Sequence, residues 1–167
     1  MEDKIVILNI GGTFNKRYNL FNGKLNVPKD NLAIEEILNS VYKSNKKPII
    51  DGIIYKDSLD MTYKDRKKLL DRVKSIKQKK IIIIHGTDTM DKSAKFLAKK
   101  INNKQIVFVG AMKPYEIDKV ESAGTLMMAI GYLNGNRKNG IFICMNGLIK
   151  SYEKIKKNYK KGVFECR

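Results

Sequence analysis

Hydroxyl and carboxylate side chains follow two apolar runs of this sequence, at the points where the runs end. Isoleucines occupy 81–84 and are followed at once by His85-Gly86-Thr87-Asp88-Thr89, while the apolar run 5–10 is followed by Gly11-Gly12-Thr13. A threonine hydroxyl becomes a nucleophile only when a base takes its proton, and proton transfer in turn uses positioned polar side chains. The two segments therefore offer the groups of nucleophilic catalysis, although Thr and Asp are also ordinary helix N-caps.

The two threonine segments, in this order, resemble the asparaginase/glutaminase family of amidohydrolases. Further matches lie in three short segments: Asp57-Ser58-Leu59-Asp60-Met61-Thr62, Val109-Gly110-Ala111-Met112-Lys113-Pro114 and Met145-Asn146. The resemblance covers essentially the whole chain and corresponds to the N-terminal catalytic domain of the family, without its usual C-terminal domain. It implies hydrolysis of L-asparagine to L-aspartate and ammonia through a threonine acyl-enzyme. The alternatives are an amidase for glutamine or another amide, and a catalytically weak relative that binds nucleic acid.

The resemblance also implies a set of catalytic residues. They are the nucleophile, a tyrosine on a mobile lid, and a Thr-Asp-Lys set for proton transfer, which fall on Thr13, Tyr18, Thr87, Asp88 and Lys157. The lysine is reached by counting on from Met145-Asn146 without gaps, and Lys156 is the alternative because lysines crowd this segment. Which of the two threonines attacks stays open.

A second set of residues is expected to bind the substrate. It consists of Gly12, Ser58, Leu59, Gly86, Thr87, Asp88 and Ala111. By resemblance, Asp88 holds the substrate α-amino group, Ser58 holds the α-carboxylate, and the Ala111 carbonyl meets the amide nitrogen. Leu59 stands where the family often has Gln, which predicts one lost polar contact. His85, which has no visible catalytic partner in the sequence, is expected to be structural.

The elements that must position these residues alternate along the chain. Apolar runs at 5–10, 48–55, 81–84, 105–110 and 140–145 predict strands. Helical periodicity predicts helices after residue 30, after Thr62, from Met90 to Ile101 and over 122–134. Asn22-Gly23 predicts a hairpin. Alternating strands and helices predict an α/β fold, a three-layer α/β/α domain over 1–167 with a largely parallel sheet. Ligands bind such sheets at the carboxyl ends of the strands.

Composition bounds the partners. The net charge of +17 could attract nucleic acid, but the lysines are spread along predicted helices and Arg is scarce, so nucleic acid is an unlikely partner. The densest basic segment, 150–161, is expected to be mostly a solvated tail.

The acidic start at residues 1–3 and the two distant cysteines favour the cytoplasm, with no membrane span, metal or cofactor. Exposed sheet edges and the missing family domain predict a homo-oligomer, a dimer or higher.

Overall fold

The computed structural model describes residues 4–43 and 46–167. Ten strands occur there in chain order: β1 Val6–Gly11, β2 Arg17–Asn19, β3 Lys24–Asn26, β4 Ile49–Lys56, β5 Lys80–Ile84, β6 Gln105–Val109, β7 Gly140–Met145, β8 Leu148–Ser151, β9 Ile155–Asn158 and β10 Val163–Cys166. Four α-helices accompany them: α1 Leu32–Val41, α2 Tyr63–Ser75, α3 Met90–Ala98 and α4 Lys119–Gly135. The acidic start at residues 1–3 lies outside the described residues.

A six-stranded sheet forms the centre of the fold. Its strand order is β4-β1-β5-β6-β7-β8. The first five strands run parallel, and β8 adds to the edge antiparallel to β7. The largely parallel α/β sheet predicted from the alternating pattern is therefore confirmed. The carboxyl ends of β1, β4, β5, β6 and β7 consequently meet at one edge of the sheet, where the candidate site residues follow β1, β4, β5 and β6.

Helices cover both faces of this sheet, which makes the three layers. The buried side chains of α2 and α3 form one core cluster with every second residue of the strands, including Leu8, Ile81 and Ile83. The buried side chains of α1 and α4 form a second cluster with the intervening residues, including Ile7, Ile82 and Ile84. Because strand side chains alternate between faces, a run of four isoleucines supplies both cores, and this is why β5 reads as apolar throughout.

Two antiparallel hairpins lie outside the main sheet. The predicted hairpin forms from β2 and β3, but its loop takes four residues, 20–23, rather than the two of an Asn-Gly turn. The second hairpin, β9 with β10, begins in the basic segment 150–161, most of whose lysines were expected to be solvated, and extends beyond it to Cys166. In this hairpin Ile155 and Phe164 are buried in the core while neighbouring lysines point outwards. Each strand of this hairpin buries a single residue, so the apolar pattern of the sequence did not reveal it.

Helix ends follow local capping. Helix α2 begins as predicted after Thr62, whose hydroxyl accepts from Asp65 N while Asp65 accepts from Thr62 N. Helix α4 begins three residues before its predicted start, because Asp118 caps it by accepting from Glu121 N at 3.1 Å.

No helix within the described segments has both the length and the apolar character needed to cross a bilayer.

Candidate functional site

Two glycines bring the segments after β1 and β5 into contact. Gly12 has a φ of +79°, a conformation that other residues rarely adopt. A Cβ atom on Gly12 would lie 2.3 Å from the backbone nitrogen of Gly86, so only glycine allows this approach. The contact places the turn that carries Thr13 directly against the turn that carries Thr87. The spacing of the two motifs along the chain, more than 70 residues, therefore does not separate them in space.

A lysine ammonium joins the second of these turns from the β9–β10 hairpin. Lys157 Nζ lies 2.7 Å from Thr87 Oγ1 and 2.6 Å from Asp88 Oδ1. Its side chain is largely buried, whereas the neighbouring Lys156 is exposed and lies 3.8 Å from Glu165. Strand alternation explains the difference, because consecutive side chains of β9 point to opposite sides. Of the two lysines considered from the sequence, the structure brings Lys157 to the threonine.

Tyr159 adds a contact to this cluster that sequence reasoning missed. Its hydroxyl donates to the Asp88 carbonyl oxygen at 3.0 Å, and its ring centroid lies 5.2 Å from Lys157 Nζ. Burial, with the nearby carboxylates Asp88 and Asp91, raises the pKa of this tyrosine above its usual value, so the hydroxyl keeps its proton for the carbonyl. Nothing in a lysine-rich turn marked this tyrosine, because the contact depends on how the hairpin docks.

Ser58 ties a third strand end to the same turn. It opens a short 3₁₀ helix, Ser58–Asp60, after β4. Its hydroxyl accepts from Asp88 N at 3.2 Å, and its carbonyl oxygen accepts from the Thr89 hydroxyl at 2.7 Å. A Cβ atom on Gly86 would lie 2.6 Å from the Ser58 side chain, so Gly86 also must be glycine. Ser58 is buried and is paired with the turn through both its hydroxyl and its carbonyl oxygen.

An ion pair links the loops after β1 and β4. Lys16 Nζ lies 2.5 Å from Asp57 Oδ2, and Asp57 also accepts from Leu59 N at 3.1 Å. Burial raises the pKa of Asp57, but the hydrogen bonds from Lys16 and Leu59 outweigh burial and leave this pKa below its usual value. The backbone of Leu59 is held in this way, while its side chain is 72% exposed. The apolar side chain therefore faces solvent rather than the core.

The loop after β6 is fixed by a carboxylate that the sequence did not point to. Glu121, in the first turn of α4, accepts from Met112 N at 2.7 Å and from Lys113 N at 3.0 Å. Ala111, just before these amides, is completely buried. Its carbonyl therefore lies within the structure at the sheet edge, and does not face open solvent.

Thr13 and Tyr18 are less closely joined to the cluster. Thr13 opens a 3₁₀ helix, Thr13–Asn15, and is partly exposed. Tyr18 is 55% exposed on the β2–β3 hairpin, where its backbone N–H donates to Glu116 Oε2 at 2.8 Å. Its hydroxyl oxygen lies 3.7 Å from the position of a Cβ atom on Gly23, above the hairpin's own turn. Among the described residues, Thr87, Asp88 and Lys157 touch one another, and Tyr18 stands apart from them.

His85 lies beneath the turn and is fully buried. Its Nδ1 lies 2.9 Å from the Gly86 carbonyl oxygen, and its Nε2 lies 2.8 Å from Ser93 Oγ. Burial lowers the pKa of the imidazole to about 4, so the ring is neutral near pH 7. The histidine is therefore held inside the fold through both of its ring nitrogens. Across the described residues, no group of three or more His, Cys, Asp or Glu side chains is arranged to hold a metal ion.

A family model described as Asparaginase, N-terminal, matches residues 4–163 of the chain. A glutaminase-asparaginase from Acinetobacter glutaminasificans is 26% identical over 157 residues, which cover 89% of this chain and 47% of that protein. The chain thus spans about half the length of the curated relative that it matches.

Two solved structures share the fold. The thermostable L-asparaginase from Thermococcus kodakarensis superposes with a TM-score of 0.81 at 20% identity, covering 98% of this chain and 51% of that one. The probable cytoplasmic L-asparaginase from Campylobacter jejuni gives a TM-score of 0.76 at 24% identity, with the same coverage of 98% and 51%. At these identities the two structures establish the fold alone.

Proposed function

Because this chain belongs to the asparaginase family, where it matches the N-terminal domain, we propose that it hydrolyses L-asparagine to L-aspartate and ammonia. The observation that carries this proposal is the Lys157 ammonium in contact with Thr87 Oγ1 and Asp88 Oδ1 at the carboxyl end of β5. A lysine within hydrogen-bond distance of a threonine hydroxyl, itself held by a carboxylate, is the arrangement that proton transfer to and from a hydroxyl requires.

The proposed reaction has two steps. In the first, the Thr13 hydroxyl attacks the side-chain amide carbon, the C–N bond breaks, and ammonia leaves with the proton that the hydroxyl gives up. In the second, water attacks the resulting ester, and the products are aspartate and free Thr13. Thr87, Asp88 and Lys157 carry protons in both steps. The contact between Gly12 and Gly86 supports a reaction that uses both threonines, because it sets the two threonine turns side by side.

Substrate binding is proposed for the residues around this cluster. Asp88 offers a carboxylate to the α-amino group, a charge-assisted hydrogen bond. Ser58 offers its hydroxyl to the α-carboxylate, and Gly12 and Gly86 let the substrate approach the backbone closely. The Ala111 carbonyl would accept from the amide nitrogen. Since Ala111 is buried, this last contact requires the site to open before substrate enters.

Tyr18 is proposed to act on a lid. The exposed tip of the β2–β3 hairpin carries Leu20 and Phe21 with almost no burial. A hairpin so weakly packed can move over a bound substrate, exclude water and bring the Tyr18 hydroxyl to the reacting groups.

A second copy of the chain is proposed to complete the site. Two large side chains next to the candidate residues, Leu59 and Tyr159, are exposed and could be covered by a second copy. We expect a homodimer or larger assembly in solution, which sedimentation velocity would detect and a purely monomeric boundary would contradict. A cytoplasmic location is proposed on the two free thiols, Cys144 and Cys166.

Glutamine is the second candidate substrate. The observation that favours it is the similarity to a protein named glutaminase-asparaginase. Both amides would place the same groups against Thr13 and Asp88, and they differ by one methylene, which separates similar substrates by only about 1–3 kcal/mol. The sequence and the geometry therefore support an amidohydrolase more firmly than one choice between the two.

The experiment that tests the proposal is ammonia release from asparagine and glutamine, measured side by side on purified protein. Thr13→Ala and Thr87→Val should each lower turnover by at least about 10², the scale for losing a nucleophile or a proton-transfer partner. Thr62→Ala, which changes a threonine in the cap of α2, is the matched control and should keep turnover within about twofold. Near-normal turnover in Thr13→Ala or Thr87→Val would remove that residue from the mechanism, and no release from either amide would overturn the proposed activity.

A further inference from the structure

The hydrogen bonds around His85 run in one direction. A carbonyl oxygen can only accept, so the ring nitrogen beside Gly86 O, Nδ1, carries the proton. In the neutral ring Nε2 then accepts, and its donor is the Ser93 hydroxyl at 2.8 Å. Ser93 Oγ accepts in turn from Arg66 Nε at 3.2 Å. Both ring nitrogens of His85 and the Ser93 hydroxyl are thus paired, which fixes the tautomer and the orientation of the ring.

The hydrogen bond from His85 Nδ1 to the Gly86 carbonyl oxygen orients a peptide group. The Gly86 carbonyl and the Thr87 N–H belong to one planar trans peptide and point in opposite directions. The carbonyl points to the His85 ring, which packs against Phe108 in the core with 5.7 Å between ring centroids. The Thr87 N–H therefore points away from that ring. Gly86 has no Cβ to restrict its rotation, and the bond from His85 restrains this peptide in addition to the packing of the turn.

The Thr87 N–H has no hydrogen-bond partner among the described residues, although Thr87 is only 5% exposed. Buried backbone N–H groups are almost always paired, so an unpaired one calls for an explanation. This donor belongs to the residue whose hydroxyl Lys157 holds. Its turn packs against the turn that carries Thr13, the proposed nucleophile. Backbone N–H groups fixed near a nucleophile are a common means of stabilising the oxyanion that forms from a carbonyl under attack.

We propose that His85 is a positioning residue that holds the peptide between Gly86 and Thr87 so that the Thr87 N–H donates to the oxyanion formed from the substrate amide. The proposal rests on the proposed function, since it assigns the donor to that reaction. His85 touches no reacting atom and acts only through the peptide.

Two substitutions of His85 distinguish the contact made by Nδ1 from the contact made by Nε2. In His85→Asn the side-chain amide nitrogen takes the place of Nδ1 and can still donate to Gly86 O, while the contact with Ser93 is lost. In His85→Gln the longer side chain can reach Ser93, while the donor to Gly86 O is lost. Asn also leaves the larger void, so it should be the less stable variant. We expect kcat to fall by about tenfold to a hundredfold in His85→Gln, with KM within about threefold, and by less than about fivefold in His85→Asn.

A merely structural histidine would give the opposite order, because activity would follow stability and His85→Asn would be the more impaired. That order would overturn the proposal. A readout without substrate is the ring tautomer of the wild-type protein, measured by ¹⁵N NMR: a proton on Nδ1 is expected, and one on Nε2 would overturn the proposal even if neither variant folds. If the wild type releases no ammonia while the proton is on Nδ1 and a crystal structure of His85→Gln shows the peptide turned, the proposed function fails and the positioning role of His85 stands.

Discussion

The contacts of single residues decide which side chains take part in the proposed chemistry. Lys156 and Lys157 are adjacent in the sequence, and only the alternation of a strand places one at Thr87 and the other in solvent. The sequence predicted sharp turns at Gly12 and Gly86. It did not predict that these two glycines pack against each other, because this contact joins turns from distant parts of the chain. Glu121 and Tyr159 act through backbone groups, and backbone partners leave no signal in a sequence.

Leu59 offers a prediction about substrate affinity. Its side chain is exposed and apolar, so it donates nothing to a substrate α-carboxylate next to Ser58. One hydrogen bond to a charged group is worth about 1.5–3 kcal/mol, so Leu59→Gln should lower KM about tenfold to a hundredfold and leave kcat within a few-fold. The measurement is a saturation curve for both proteins, in which the wild type should show a KM near about 1 mM. A micromolar wild-type KM, or no gain from Gln, would show that another residue holds the carboxylate.

The buried histidine predicts a dependence of stability on pH. Because the pKa of His85 falls from 6.5 to about 4 on folding, the unfolded chain takes up a proton first as the pH is lowered. Stability is therefore complete above about pH 6.5 and is lost progressively down to about pH 4, by about 3 kcal/mol. Urea unfolding of wild type and His85→Gln across this range measures the effect. The difference in unfolding free energy between them should shrink as the pH falls; a constant difference would mean that the ring stays protonated or exposed in the folded state.

At the scale of elements, the long apolar strands and periodic helices were predictable because their burial leaves a pattern in the residues themselves. The strands β8, β9 and β10 were not, because β9 and β10 bury one residue each and β8 buries none, and because the lysines of β8 and β9 suggested a solvated tail. Their position depends on tertiary contacts. Phe164 N donates to Asn146 Oδ1 at 2.8 Å, which ties the β9–β10 hairpin to the turn between β7 and β8.

Asn146 should therefore govern the placement of the hairpin. Its φ of +50° is a left-handed conformation that Asn and Asp tolerate better than Ala. Asn146→Ala loses the acceptor for Phe164 N and adds backbone strain, so it should cost about 2 kcal/mol of stability and lower kcat by loosening Lys157. Asn146→Asp keeps the acceptor and is the matched control, with little change in either quantity. Thermal unfolding and ammonia release measure the pair; equal stability and activity in Ala and Asp would show that the hairpin is held elsewhere.

At the scale of the whole molecule, the high positive net charge is the property that most needs an explanation. The net charge of +17 is large for 167 residues, and several lysines are engaged in ion pairs rather than free, including Lys16, Lys56 and Lys157. Composition indicated a globular protein, but it could not distinguish a functional basic surface from a high lysine content that has no function. Only the positions of the charges in the fold bear on that question.

We expect only weak binding to nucleic acid. A basic surface that makes no base-specific contacts binds nucleic acid because binding releases counterions from the phosphates. The affinity of such binding falls steeply as the salt concentration rises. Fluorescence anisotropy with a labelled mixed-sequence RNA should show binding at about 50 mM salt that is lost by about 200 mM. A complex with one defined RNA that survives 200 mM salt would favour a nucleic-acid-binding protein over an enzyme.

The most direct test of the central claim compares two adjacent lysines. Lys157→Met and Lys156→Met remove the same charge from the same strand, but only the first removes the contacts with Thr87 and Asp88. The measurement is the rate of ammonia release from L-asparagine by both variants and the wild type at equal, folded concentrations. The account predicts a loss of at least about 10² for Lys157→Met and less than about threefold for Lys156→Met. Equal rates in the two variants would contradict the claim that the lysine, threonine and carboxylate cluster is where the reaction takes place.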